Sequence, residues 1–251
     1  MTTAARPHGL FRLGAFAAML MAALYAVIAV SYAFLPKNVK VVGTGDPAAY
    51  YPALLKNPSA ALLLDWEFGV LGIVGVAVVV SVSGFSRRNR NEGWILYTSV
   101  LALFGFLIMS VDSLKGSALH KLRAEAWMHG DAATRAAIGA TRLTLDYYAW
   151  FACGAVGAWI LVVNIAMLRN RQLPTVGAAL GFVLAGANEL IMVSLTFAWM
   201  TSLDLAVAAG LLAAVPWLAF VGIRLWRASA PQLRALTDQA VREHVVDDAH
   251  V

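Results

Sequence analysis

Hydrophobic positions gather along the chain into six long runs, roughly residues 13–35, 61–84, 94–113, 147–168, 174–198 and 204–223, with polar connections between them. An α-helix of about 20 residues rises about 30 Å, which is the thickness of a bilayer's hydrocarbon core. Within lipid only helices and closed barrels satisfy every backbone group. The pattern therefore predicts an all-α, polytopic transmembrane bundle of about six spans. The first run follows Arg12 and has small residues around Ser31, as a signal peptide would. Its apolar stretch of about 22 residues exceeds the roughly 7–15 of a signal-peptide core, so it is expected to remain as a span.

Two connections are long, 36–60 and 114–142, and the others are short. Pro36, Gly43-Thr44-Gly45-Asp46-Pro47, Pro52 and Pro58 make the first of these read as an irregular loop. Gly43 and Gly45 do not form a nucleotide fingerprint, since no strand precedes them and no Lys-Ser/Thr follows. In the second, Leu119, Leu122 and Ala126 recur at helical spacing, Gly130 interrupts, and Asp131 is placed to cap a second short helix. The pair is expected to lie over the bundle, with Trp127, Tyr32, Tyr50, Tyr147, Tyr148 and Trp199 at headgroup level. Residues 1–227 thus form the bundle with its two long outer loops, and residues 228–251 a tail. In that tail Leu233, Leu236, Ala240 and Val241 share a helical face, flanked by Arg234, Asp238, Arg242 and Glu243.

Composition agrees: 61% hydrophobic and 13% charged residues leave too little polar surface to coat a soluble globule. The bilayer itself is the first partner. A net charge of +5 would suggest nucleic acid in a soluble domain, but the basic residues lie in short clusters between apolar runs. No nucleic-acid partner is expected, and the basicity reads as a topology signal. Arg6 and Arg12, then Arg87, Arg88 and Arg90, then Arg169 and Arg171, then Arg224 and Arg227 all fall on one side. Every lysine, Lys37, Lys40, Lys56, Lys115 and Lys121, falls on the other. The positive-inside rule then gives N-in, C-in, with the tail cytoplasmic. A single cysteine, Cys153, within an apolar run excludes an internal disulfide framework and a Cys-rich zinc site. His120 and His129, nine residues apart on opposite helix faces, do not make a catalytic zinc set. No metal or cofactor is expected.

Acids carry the most information, because a carboxylate in hydrocarbon costs several kcal/mol unless protonated, paired or wetted. Asp65 and Glu67 enter the second span, Asp112 ends the third, Asp146 opens the fourth, Glu189 lies within the fifth beside Asn188, and Asp204 opens the sixth. All lie in the outer half under this topology. Small-residue stripes mark helix faces that meet neighbours. Asp65 shares such a face with Gly69 and Gly72, Asp112 with Gly105 and Thr98, and Asp146 with Cys153, Gly157 and Asn164. Gly177 and Gly181 precede Asn188-Glu189 on the fifth span. Glu67 is turned about 200° from Asp65. Acids near span ends also serve as caps or face headgroups, whereas Glu189, near the midplane, points to function by default. Asp65, Asp112, Asp146, Asn188 and Glu189 are the expected lining of one outward-opening acidic pocket for a proton, a cation or a cationic small molecule, used in transport or sensing. Ser110, Ser194 and Thr196 are expected to bond the preceding turn's carbonyls, and Pro216 to kink the sixth helix.

Two likenesses add to this. The order of long outer loop, short basic inner loop carrying Asn91-Glu92-Gly93, second long outer loop and tight hairpins resembles an uncharacterised bacterial six-helix membrane family, a domain of unknown function. That likeness implies a multi-pass protein of the plasma membrane, the bacterial inner membrane. Asp65-Trp66-Glu67 is similar to the Trp-Glu signature of membrane-integral terpene cyclases, without the Asn that usually precedes that pair. This second likeness implies an alternative, a membrane-embedded enzyme on a lipid or terpenoid in which Glu67 and Asp204 act as catalytic acids.

Overall fold

The structure, a computed structural model, describes residues 8–35, 47–87, 92–145, 148–197 and 199–248; side chains within 141–150 and beyond 229 lie outside the described set. Its helices are α1 (His8–Phe34), α2 (Pro47–Lys56), α3 (Pro58–Ser86), α4 (Glu92–His129), α5 (Ala132–Leu145), α6 (Tyr148–Arg169), α7 (Thr175–Thr196) and α8 (Met200–Asp248). No strand occurs among the described residues. Six of the helices, α1, α3, α4, α6, α7 and α8, are long and apolar enough to cross a membrane. The all-α six-span architecture is thus present, and six alternating passes put both ends of the bundle on one side.

Each span packs on its sequence neighbours, and α8 returns to α1, so the spans close into a ring. Short hairpins make consecutive helices antiparallel neighbours. The ring is plugged rather than hollow. Trp159 of α6 and Trp217 of α8, both fully buried, meet edge to face with centroids 6.4 Å apart. Met21, Tyr25, Val78, Phe106 and Leu184 converge from the other spans around a small apolar cavity beside them. Outside the ring, Phe16, Ile73, Phe104, Val176 and Leu212 are exposed, a surface suited to acyl chains and not to water. Exposed Trp66 and Trp199 mark one end, and exposed Trp94, Tyr97 and Trp226 the other. From Trp199 to Trp226 the chain rises about 40 Å, which matches a bilayer with its headgroups.

The arginine-bearing end is tied by side chains. Ser83 and Ser99 share a hydrogen bond of 2.6 Å, and Trp159 Nε1 donates to Ser83 at 3.0 Å. Trp217 Nε1 donates to Asn164 Oδ1 at 3.4 Å, while Asn164 Nδ2 donates to the Ala178 carbonyl at 2.7 Å. Such buried donors need partners, since an unmet one costs about 1–3 kcal/mol. The α6–α7 turn closes with Arg171 at φ 53 and the bonds Gln172 N–H to Met167 O (2.8 Å) and Arg171 N–H to Leu168 O (3.0 Å), a Schellman cap. From this turn Gln172 Nε2 reaches Phe85 O at 2.8 Å and Asn170 Nδ2 reaches Ser86 O at 3.3 Å, so one hairpin caps the end of α3.

The outer side departs from the loop reading. Residues 47–56 form α2, and α3 starts at Pro58, because a proline in the first helical position loses no hydrogen bond. Residues 36–46 lie outside the described residues. Gly130 does break the chain, and Asp131 Oδ1 accepts the Thr134 N–H at 2.8 Å, as the cap expected there would. However, 114–129 is no separate surface helix. It continues α4, whose 38 residues rise about 57 Å, more than the roughly 40–45 Å of a bilayer with its headgroups. Trp127 packs on this outer cap, its ring 5.3 Å from that of Tyr51, and Tyr50 and Tyr51 are buried. The helix α8 likewise runs unbroken through Pro216 and on to Asp248. The face on which Leu233, Leu236, Ala240 and Val241 would lie falls outside the described side chains.

Candidate functional site

The outer end of α3 is held between α1 and α4, and each flank uses one carboxyl. On the α4 side, Gly69, Gly72 and Gly75 permit a very close approach: a β-carbon at Gly72 would stand 2.5 Å from the Phe106 carbonyl. Ser110 Oγ donates to the Gly69 carbonyl at 2.7 Å, across the interface and not to its own preceding turn as expected. Thr196 does bond its own turn, at Met192 O (2.8 Å).

Continued outward, this seam brings Asp65 to His120. His120 Nδ1 lies 3.0 Å from Asp65 Oδ2, with the two side chains only 16% and 18% exposed. Neither atom has a hydrogen-bond partner among the described residues, so the two groups stand in polar contact without a formed hydrogen bond. Gly116 borders the pair, since a β-carbon there would lie in ordinary contact with both, 3.4 Å from His120 Cε1 and 3.5 Å from both carboxylate oxygens of Asp65. Half-buried Asp112 lies below, within electrostatic range of Asp65, His120, Lys115 and Arg123.

On the α1 side, Glu67 Oε1 accepts a hydrogen bond from Ser31 Oγ at 3.0 Å, and Glu67 is almost fully buried. The turn of about 200° between residues 65 and 67 is what sends the two acids to opposite neighbours.

The remaining acids sit at other seams. Glu189 of α7 faces α6, where a β-carbon at Gly157 would stand 2.9 Å from its Oε1 and where Cys153 is within electrostatic range. It has no hydrogen-bond or ion-pair partner among the described residues. Asn188 donates to its own helix, to Leu184 O at 2.9 Å. Asp204 is exposed at the start of α8, near Tyr32 of α1. The side chains of Asp146 and Arg142 lie outside the described residues. The structure therefore brings Asp65 and Asp112 together, with His120 as an addition. It sets Glu189 and Asn188 at the α6–α7 seam, and places Glu67 and Asp204 on different flanks of α1.

Sequence reasoning weighed His120 only as a zinc ligand beside His129, and did not join it to Asp65 because it took 114–142 as a separate loop segment. The signal was present: Phe106, Ser110, Ser113, Ser117 and His120 follow one another at steps of three and four, a single face of one long helix. Ser31, Ser83 and Ser99 gave no comparable sign, since a serine in an apolar run most often bonds its own backbone. Among the described residues no three His, Cys, Asp or Glu side chains are placed to hold a metal ion. Comparison of the chain with family models, with characterised proteins and with solved structures gave no match.

Proposed function

We propose that this multi-pass membrane protein senses protons, or a small cation competing with them, at the outer end of its bundle. The observation that carries this reading is the 3.0 Å contact between Asp65 and His120. Histidine is the side chain whose charge ordinarily changes between roughly pH 5 and 8. Its protonation converts a polar contact with a carboxylate into a charge pair, and here that pair joins a membrane span to the part of α4 that projects beyond the bilayer. Asp112 on α4 is the charged group within range of both members of the pair, with Lys115 and Arg123 in range of Asp112, and α2 packs against α4. Asp112 makes a second acid available for a cation. The plugged interior, with Trp159 against Trp217, favours sensing over passage through the ring.

The test uses the full chain in liposomes, with the thermal midpoint followed as the outer pH is moved between about 5 and 8. A midpoint that changes with pH, and a change lost in both His120→Gln and Asp65→Asn, is expected. Identical profiles in wild type and both variants would sink the proposal. Repeating the series at fixed pH with a simple amine or a monovalent cation separates proton from cation.

A further inference from the structure

Glu67, on the opposite face of α3, occupies a different chemical setting from Asp65. It is 6% exposed, and its Oε2 is buried with no hydrogen-bond partner among the described residues. One turn to either side on α3 lie buried Leu64 and Leu71; one turn before Ser31 on α1 lies buried Ile28, and buried Leu35 follows the end of that helix. Among the described residues the carboxyl, flanked on both helices by buried aliphatic side chains, has one hydrogen-bond partner, the Ser31 hydroxyl. No described cation faces it from either helix: Arg12 is at the far end of α1, and Asp65 and His120 occupy the other face of α3. Tyr32, the next residue on α1, lies toward Asp204 of α8. An ionised carboxylate with one of its oxygens bare in such a setting is costly, whereas a carboxylic acid is tolerated. Trp66, exposed at the outer aromatic belt, is the adjacent residue, so water outside the bilayer is about one turn away.

We propose that Glu67 is a proton-binding site in the α1–α3 seam, separate from the Asp65–His120 pair and filled from the outer side beside Trp66. In the protonated form Oε1 is the carbonyl oxygen that accepts from Ser31, and Oε2 carries the proton. Loss of the proton leaves Oε2 charged and in need of water, which enters only if α1 parts from α3. Because α1 also closes the ring against α8, the occupancy of this one site sets how tightly the ring is shut.

Infrared spectroscopy of the full chain in liposomes tests this through the C=O stretch of protonated carboxyl groups, scanned over roughly pH 5 to 8. Wild type is expected to show a band that is lost in Glu67→Gln. Ser31→Ala, which removes the hydrogen bond to the carbonyl, is expected to move that band to higher frequency. His120→Gln leaves it in place, so this site and the outer pair stand or fall separately. A carbodiimide, which modifies protonated carboxyls in membranes, is expected to label Glu67 in wild type by mass spectrometry, a readout that does not depend on any variant folding. No band attributable to Glu67 anywhere in the range, an unshifted band in Ser31→Ala, or an unlabelled Glu67 would each overturn the proposal.

Discussion

At Gly72 the absence of one methyl group decides how near two spans come. A β-carbon there would press 2.5 Å from the Phe106 carbonyl and 2.7 Å from Ser110 Cβ, and backbone cannot swing aside as a long side chain can. Gly72→Ala is expected to lower stability by about 1–3 kcal/mol, the usual cost of overpacking. Gly186→Ala, where nothing lies within 4 Å, should be neutral or gain a few tenths of a kcal/mol from helix propensity. Denaturant midpoints in detergent compare the two, and equal losses would contradict the close seam. The glycine stripe was readable as a periodicity of small residues, and so was the divergence of Asp65 from Glu67. What those residues touch was not readable. Helical phase gives a direction, but Ser31 and His120 lie 36 and 55 positions away in the chain.

Elements end where local chemistry stops them, and the outer cap shows this most directly. Asp131 sits just before α5, and the Thr134 amide bonded to its carboxyl holds that group below the usual carboxylate range. A group whose acid form is disfavoured by folding contributes stability above its ordinary pKa and loses it as pH falls through the lowered value. Amide exchange at the start of α5, corrected for intrinsic rates, should therefore be slow near pH 6 and faster near pH 3 in wild type. Asp131→Asn keeps a cap that does not titrate, so its protection should be the same at both pH values; Asp131→Ala should be unprotected at both. A wild type indifferent to pH would deny the cap its role. Gly130 and Asp131 announced this boundary in the sequence. The continuity of α4 through residues 114–129 left a trace in the face that runs from Phe106 to His120, but the packing of α2 against α4 is recorded by no local pattern along α4.

At the scale of the molecule, six spans form a ring whose two ends differ. The end that holds Arg87, Arg169 and Arg224 is tied by Asn170, Gln172, Ser83, Ser99 and Asn164, while the other carries Asp65, Glu67, Asp112, His120 and the cap of α2, α4 and α5. In a Cys153→Ala background, a cysteine placed at Lys56 or His129 should react with an impermeant maleimide from outside intact cells. One at Arg87 or Arg171 should react only after permeabilisation, and the reverse result would invert the topology. The number of spans, their helical state and the sidedness of the charges follow from the sequence alone. Lipid demands internally bonded segments of one length, and arginine resists transfer, so these features are written residue by residue in composition and spacing. The closing of the ring by α8 on α1, the wedging of Trp159 against Trp217, and the choice of Ser31 for Glu67 and His120 for Asp65 arose only in three dimensions. Within a membrane apolar surface does not discriminate among neighbours, and the fit of glycine seams together with a few matched polar groups selects which helices meet.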